Sequence, residues 1–191
     1  MASASAEKGT ISIRLVREAL HELRQRGCDE ASLLQGAGID GELLAEPDGR
    51  VSSEAYGQLW LSIAQQMDDE FFGMNPRRMK SGSFAFMARA AVKEPTLGAA
   101  LQAVLRLLQL IFDGFSPRLE VRDGLAAIVI DEPPQRCCRA FGYFTLWLMI
   151  HGLTCWLAGR RIDVLGIHLR CAQPDYIEDY QVMFTRNLHF G

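Results

Sequence analysis

The sequence lacks the signatures around which most catalytic sites are built. No GxSxG, P-loop, GxGxxG after a strand, HExxH or CxxC occurs in its 191 residues, so no specific enzyme is readable. A basic surplus is missing too. Lys and Arg number 20 against 23 Asp and Glu, for a net charge of −3, and the totals hold no electrostatic footprint for nucleic acid. A disulfide framework is not present either. The five cysteines (Cys28, Cys137, Cys138, Cys155, Cys171) are odd in number and sit in apolar or helical settings, which fits reduced thiols in a cytoplasm. The first ten residues contain no apolar h-region of the kind a signal peptide needs. Internal repeats and low-complexity tracts are also lacking.

What is present is apolar material. Hydrophobic residues make up 49% of the chain and charged ones 23%, enough for one domain with a sizeable core. The most apolar stretch, Phe141 to Gly159, contains no Asp, Glu, Lys or Arg. Its length is close to the ~20 residues of a membrane span. Gly142, Gly152, Thr145 and Thr154 dilute it, however, and Arg139, Arg160 and Arg161 flank both ends, giving no sidedness. A helix apolar all round belongs in the middle of a domain, and a buried core helix outside any membrane is the expectation here.

The rest of the chain reads in order. Residues 1–10 are small and polar and are expected to be a disordered tail before a single domain over 11–191. Ile13, Val16, Leu20 and Leu23 keep helical spacing from Ser12 until Gly27. Asp29 and Asp40 read as caps of two short helical turns. Their run ASLLQGAGIDGELL superficially resembles a helix-turn-helix, but it carries Asp40, Glu42 and Glu46 with no basic cluster and is not read as a DNA-binding element. After the turn at Pro47-Asp48-Gly49, a serine (Ser52 or Ser53) starts a helix with Tyr56, Leu59, Trp60, Ile63 and Met67 on one stripe. A helix opening at Ser81-Gly82-Ser83 ends at Lys93-Glu94-Pro95, and Thr96 caps the next, striped by Leu97, Leu101, Val104, Leu105, Leu108 and Phe112. The period then becomes two. Asp123-Gly124 marks a hairpin whose return strand, Leu125 to Ile130, is apolar enough to be central, and Pro133-Pro134 stops it. A third strand is expected over Ile162 to Arg170, a short helix from Pro174, and a strand at Leu188 to Phe190. The fold class is α+β: a helical N-terminal half, then a small antiparallel sheet of three or four strands with the long buried helix packed on it.

Candidate chemistry is sparse. His151 and Cys155 lie four apart on one helix face, a spacing that suits a metal or an axial contact to a heme, although further ligands are unmarked. Asp131-Glu132 is a carboxylate pair at a strand end, and Arg77, Arg78 and Lys80 form a loop cluster of basic groups. Tyr143, Trp147, His151 and Thr154 share one side of the long helix and combine apolar surface with polar handles, as small-molecule pockets do. With Trp60 on the facing helix, Tyr143, Trp147 and His151 are the candidate ligand-binding residues. No catalytic residue, metal site or cofactor is expected.

At Ser81 to Leu110 (SGSFAFMARAAVKEPTLGAALQAVLRLLQL) the sequence resembles the N-terminal, arabinose-binding-like domain of AraC-type bacterial transcription regulators. Val51 to Met74 is similar to a second block of that family. So are Thr96-Leu97-Gly98 with Ala100-Leu101, the segment Ala158 to Leu169, and the positions of Pro174, Tyr180, Phe184 and Phe190. Two departures stand out: Cys171 occupies a place where the family often has histidine, and the chain stops before the DNA-binding domain with its two helix-turn-helix motifs. The resemblance implies a cytoplasmic, dimerising regulatory domain. It would bind a small-molecule effector and touch DNA only through a C-terminal domain absent from this chain. The alternatives are a heme or metal sensor using His151 and Cys155, or a small enzyme with an unrecognised site.

Overall fold

A computed structural model describes residues 9–132 and 138–191. The polar start (residues 1–8), Pro133-Pro134 and Cys137 lie outside the described residues. Two short strands, β1 (Thr10–Ser12) and β2 (Arg50–Ser52), pair antiparallel and bring the two ends of the first helical unit together. Thr10 is therefore part of the fold and not of a tail. Each strand runs straight into a helix, because Ser12 and Ser52 take extended backbone and turn their hydroxyls onto the free amides of the next turn. Ser12 caps α1 (Ile13–Gln25) and Ser52 caps α3 (Ser53–Met67). Between them lie α2 (Glu30–Gly36), capped by Asp29, and a 3₁₀ turn (Gly41–Ala45), capped by Asp40.

The apolar stripes fall where the helical spacing puts them. Ile13, Val16, Leu20 and Leu23 of α1 are fully buried, as are Leu59 and Ile63 of α3. α4 (Ser83–Ala91) and α5 (Leu97–Ile111, capped by Thr96) pack on each other, and α5 carries the hairpin of β3 (Ser116–Arg122) and β4 (Leu125–Asp131). Asp123 and Gly124 both sit at positive φ (51° and 77°), the twist a two-residue hairpin needs.

The turn after α3 packs Phe72 against Trp60 and holds it with strained backbone. Asp68 and Phe72 take left-handed backbone at φ 47° and 56°, an arrangement costing about 1–3 kcal/mol at each non-glycine residue. The carboxylate of Asp69, fully buried, offsets this. It accepts hydrogen bonds from the amides of Phe71 (3.0 Å), Gly73 (2.9 Å) and Met79 (2.9 Å). The Phe72 ring is thereby held edge-on to Trp60, with centroids 4.8 Å apart.

The long helix, α6 (Ala140–Ala158), is the one helix among the described residues long and apolar enough to cross a membrane, and two thirds of it is buried inside the fold. Phe141, Phe144, Leu146 and Ile150 are at most 1% exposed. Arg139 fixes its start by pairing with Glu18 and with Glu22 (3.2 Å) on α1. At its end Gly159 takes φ 65° and closes the last turn.

The class is α+β with a helical N-terminal half, but the sheet differs from the expectation. Among the described residues the strands form three separate pairs, not one sheet of three or four. Among the described residues β4 pairs only with β3, and it is half-exposed, so it is not central. The third strand shrinks to β5 (Ile167–Leu169), which pairs parallel with β6 (Leu188–Phe190) through the intervening α7 (Ile177–Met183). A helical crossover returns a strand parallel, and three residues of pairing leave no reach toward the hairpin. The surface of α6 is accordingly covered by α1 and α5, with rings from α7 and β6, more than by a sheet.

Candidate functional site

The sequence-derived candidates fall on two adjoining sides of α6. Tyr143 points toward α5 and the hairpin: its hydroxyl donates to Glu132 and its ring meets Phe115 edge-on at 6.3 Å. Burial and the adjacent Glu132 push its phenol pKa well above the ordinary value. Trp147 stacks along His151 (5.9 Å, 14°), and both rings meet Phe184 edge-on. His151 Nε2 bonds the carbonyl of Ile162 at 2.8 Å and lies 3.4 Å from Cys155 Sγ, which in turn accepts from the Ile162 amide at 3.3 Å. This pair ties the end of α6 to the following loop. Among the described residues no cluster of three or more His, Cys, Asp or Glu is placed to hold a metal.

Trp60 lies on the other side. The α6 residues that face it are Phe141, Phe144, Thr145 and Leu148, one residue round the helix from the Tyr143 side. Together with Leu15 and Tyr56, and with Tyr180, Met183 and Phe184 at α7, they line a small cleft with a cavity of about 20 Å³. That is room for roughly one water. Aromatic rings make most of its walls: Trp60 meets Tyr56 at 5.7 Å and Phe141 at 6.4 Å, and Phe144 stacks on Tyr180 at 3.5 Å. Among the described residues no charged one lines it.

Three buried polar groups of this cleft have no hydrogen-bond partner among the described residues: Thr145 Oγ1, the Tyr180 hydroxyl and Trp60 Nε1. The contrast with Thr154 is informative. On the same helix, Thr154 Oγ1 donates to the carbonyl four residues back, Ile150, at 2.7 Å, the usual way to satisfy a buried helical threonine. Thr145, 2% exposed, makes no such bond. The Trp60 indole bears on the Tyr56 hydroxyl without reaching hydrogen-bond geometry, while that hydroxyl donates to the Leu15 carbonyl at 3.3 Å. Desolvation is the leading cause that raises the phenol pKa of both Tyr56 and Tyr180, with the carboxylates of Asp179 and Glu18 adding to it. Leaving a polar group buried and unbonded costs about 1–3 kcal/mol, so a cluster of three around one cleft is costly unless something completes it.

α7 forms the outer wall of this cleft and is pinned from outside. Asp179, 5% exposed, accepts from Arg50 (2.8 Å) and from the Ser12 amide (3.3 Å), and Arg50 also bonds Thr10. These contacts line a second, polar cleft of about 70 Å³ between α7 and the β1–β2 pair. Arg14, at its rim, pairs with Asp175.

Of the four sequence-derived candidates Trp60 lines this cleft and Tyr143, Trp147 and His151 do not, while Thr145 and Tyr180 were not among the candidates. Tyr180 was visible only as one of the positions shared with the resembled family, and of the two threonines the helical spacing set Thr154, not Thr145, beside the candidate residues. A search of curated proteins gives no match. A family model described as the arabinose-binding domain of AraC transcription regulator, N-terminal, matches residues 27–191, from the end of α1 through every element of the cleft but α1 itself. The chain therefore belongs to the family of N-terminal arabinose-binding domains of AraC transcription regulators.

Proposed function

We propose that this ligand-sensing regulatory domain binds a small metabolite in the cleft between α3, α6 and α7. In this reading it acts as a homodimer in the bacterial cytoplasm and controls a C-terminal helix-turn-helix domain. No catalysis is assigned to it. The observation that carries the reading is the set of three buried polar groups, without protein partners, around one aromatic cleft. Family membership supplies the regulatory role. The cleft also has a route to an output, because its α7 wall runs directly into β6, the last strand of the chain. A ligand that favours one seating of α7 shifts the population of whatever arrangement β6 presents, by as much as its affinity for the two seatings differs.

A thermal-shift screen of metabolites tests this. An effector that binds only the folded state raises Tm. The shift should vanish in Leu148→Trp, which fills the cleft from its half-buried rim. A hit whose shift is unchanged in that variant places the site elsewhere.

A further inference from the structure

The chemistry of the cleft narrows what it can hold, given the reading above that the cleft is the effector site. We infer that its occupant is an uncharged, largely apolar and preferably aromatic molecule carrying a hydrogen-bond acceptor such as a carbonyl, to which the Thr145 or Tyr180 hydroxyl or the Trp60 indole would donate. First, all three partnerless groups can donate, and the indole can only donate, so the complementary atom is an acceptor. Second, Phe141, Phe144, Tyr56, Leu148 and Met183 supply apolar and ring surface but no countercharge, and an ion brought among them would lose its hydration without a partner. Third, Asp179 is paired with Arg50 and Glu18 with Arg139, so these charges beside the cleft already have partners and are not offered to an ion. The cavity, about 20 Å³, is smaller than such a molecule, so the walls of the cleft must part for it to bind.

The probes are acetophenone (neutral, one carbonyl), toluene (no acceptor), benzoate (anionic) and tetramethylammonium (cationic), tested on the whole chain by calorimetry and thermal shift. Acetophenone is expected to bind more tightly than the other three and, at ten times its Kd, to raise Tm by roughly 3–5 °C. Thr145→Val and Tyr180→Phe are expected each to weaken acetophenone at least tenfold while leaving toluene unchanged. Both variants should be as stable as the parent or more so, because each removes a buried group with no protein partner. Thr145→Ser, which keeps the hydroxyl, should retain acetophenone binding, and this controls for the shape change. Equal binding of toluene and acetophenone, or stronger binding of benzoate or tetramethylammonium, overturns the inferred ligand class and leaves the cleft reading intact. A loss of stability in both Thr145→Val and Tyr180→Phe also overturns it, since the hydroxyls would then be satisfied without a ligand. Binding of all four probes that Leu148→Trp leaves untouched sinks the cleft reading itself.

Discussion

Alkali should unfold this protein through the tyrosines of the cleft. Tyr56 and Tyr180 are 8% and 4% exposed, and burial, the first cause in each case, pushes their phenol pKa values far above the ordinary range. The folded state therefore keeps both phenols neutral, whereas the unfolded chain ionises them near pH 10, as in model peptides. Because the folded pKa is the raised one, the stabilisation is whole below about pH 10 and is lost as pH climbs from there toward the folded value. At about pH 11, one unit above the unfolded pKa, each phenol still protonated in the fold favours unfolding by about 1.4 kcal/mol. Two such phenols remove about 3 kcal/mol, a large share of the typical 5–15 kcal/mol of a domain. The figure depends only on the unfolded pKa, provided the folded one stays above that pH. Urea unfolding followed by circular dichroism at about pH 8, 10 and 11, with phenolate absorbance recorded alongside, reads the effect directly. Phenolate from these two residues should develop only as the helix signal falls, and Tyr180→Phe should lose about 1.4 kcal/mol less than the parent. Full phenolate absorbance from all four tyrosines in a protein whose helix signal stays native would refute the packing described for the cleft.

Other perturbations have equally definite outcomes. Asp69→Ala strands the amides of Phe71, Gly73 and Met79 and releases the strained Phe72 turn, and should cost about 3–5 kcal/mol in urea unfolding. Asp179→Ala leaves the largely buried Arg50 without its carboxylate. It should cost about 3 kcal/mol and should also speed amide hydrogen exchange in α7 more than in α1. His151→Phe breaks the contact to Ile162 and should lose about 1–2 kcal/mol, with no change in the binding of cleft ligands, since His151 is not on that wall. Leu146→Ala in the centre of α6 should cost about 2–5 kcal/mol, reported by the urea midpoint.

Local chemistry was readable and distant pairing was not. Asp29, Asp40 and Thr96 cap the helices their sequence positions announce, Ser52 does so rather than Ser53, and Asp123-Gly124 makes the hairpin its dipeptide predicts, because each choice is settled within about four residues. The β1–β2 pair joins residues about forty apart, and β5–β6 joins residues about twenty apart with only three positions each. Such short strands carry no alternation of their own, so their partners depend on the helices that carry them. α6 shows the limit most clearly. A helix apolar on every side offers no stripe from which to deduce its rotation. The side bearing Tyr143, Trp147 and His151 could not be distinguished from the side bearing Phe141, Phe144 and Leu148, and only the second faces Trp60 across the cleft. The state of Thr145 is still less accessible, since it depends on which carbonyl its hydroxyl fails to reach.

The composition of α6 also bears on how the chain is made. Nineteen residues without a charge are a hazard at the ribosome, where an uncovered apolar helix invites aggregation or capture by the machinery that inserts membrane segments. The order of the chain reduces the exposure. The helices that cover α6, namely α1 and α5, together with α3, which brings Trp60 against its first turn, are all synthesised before it. The residues that receive α6 are all made before it emerges, and Arg139, which leads it out, can pair with Glu18 and Glu22 of α1 as soon as that helix is formed.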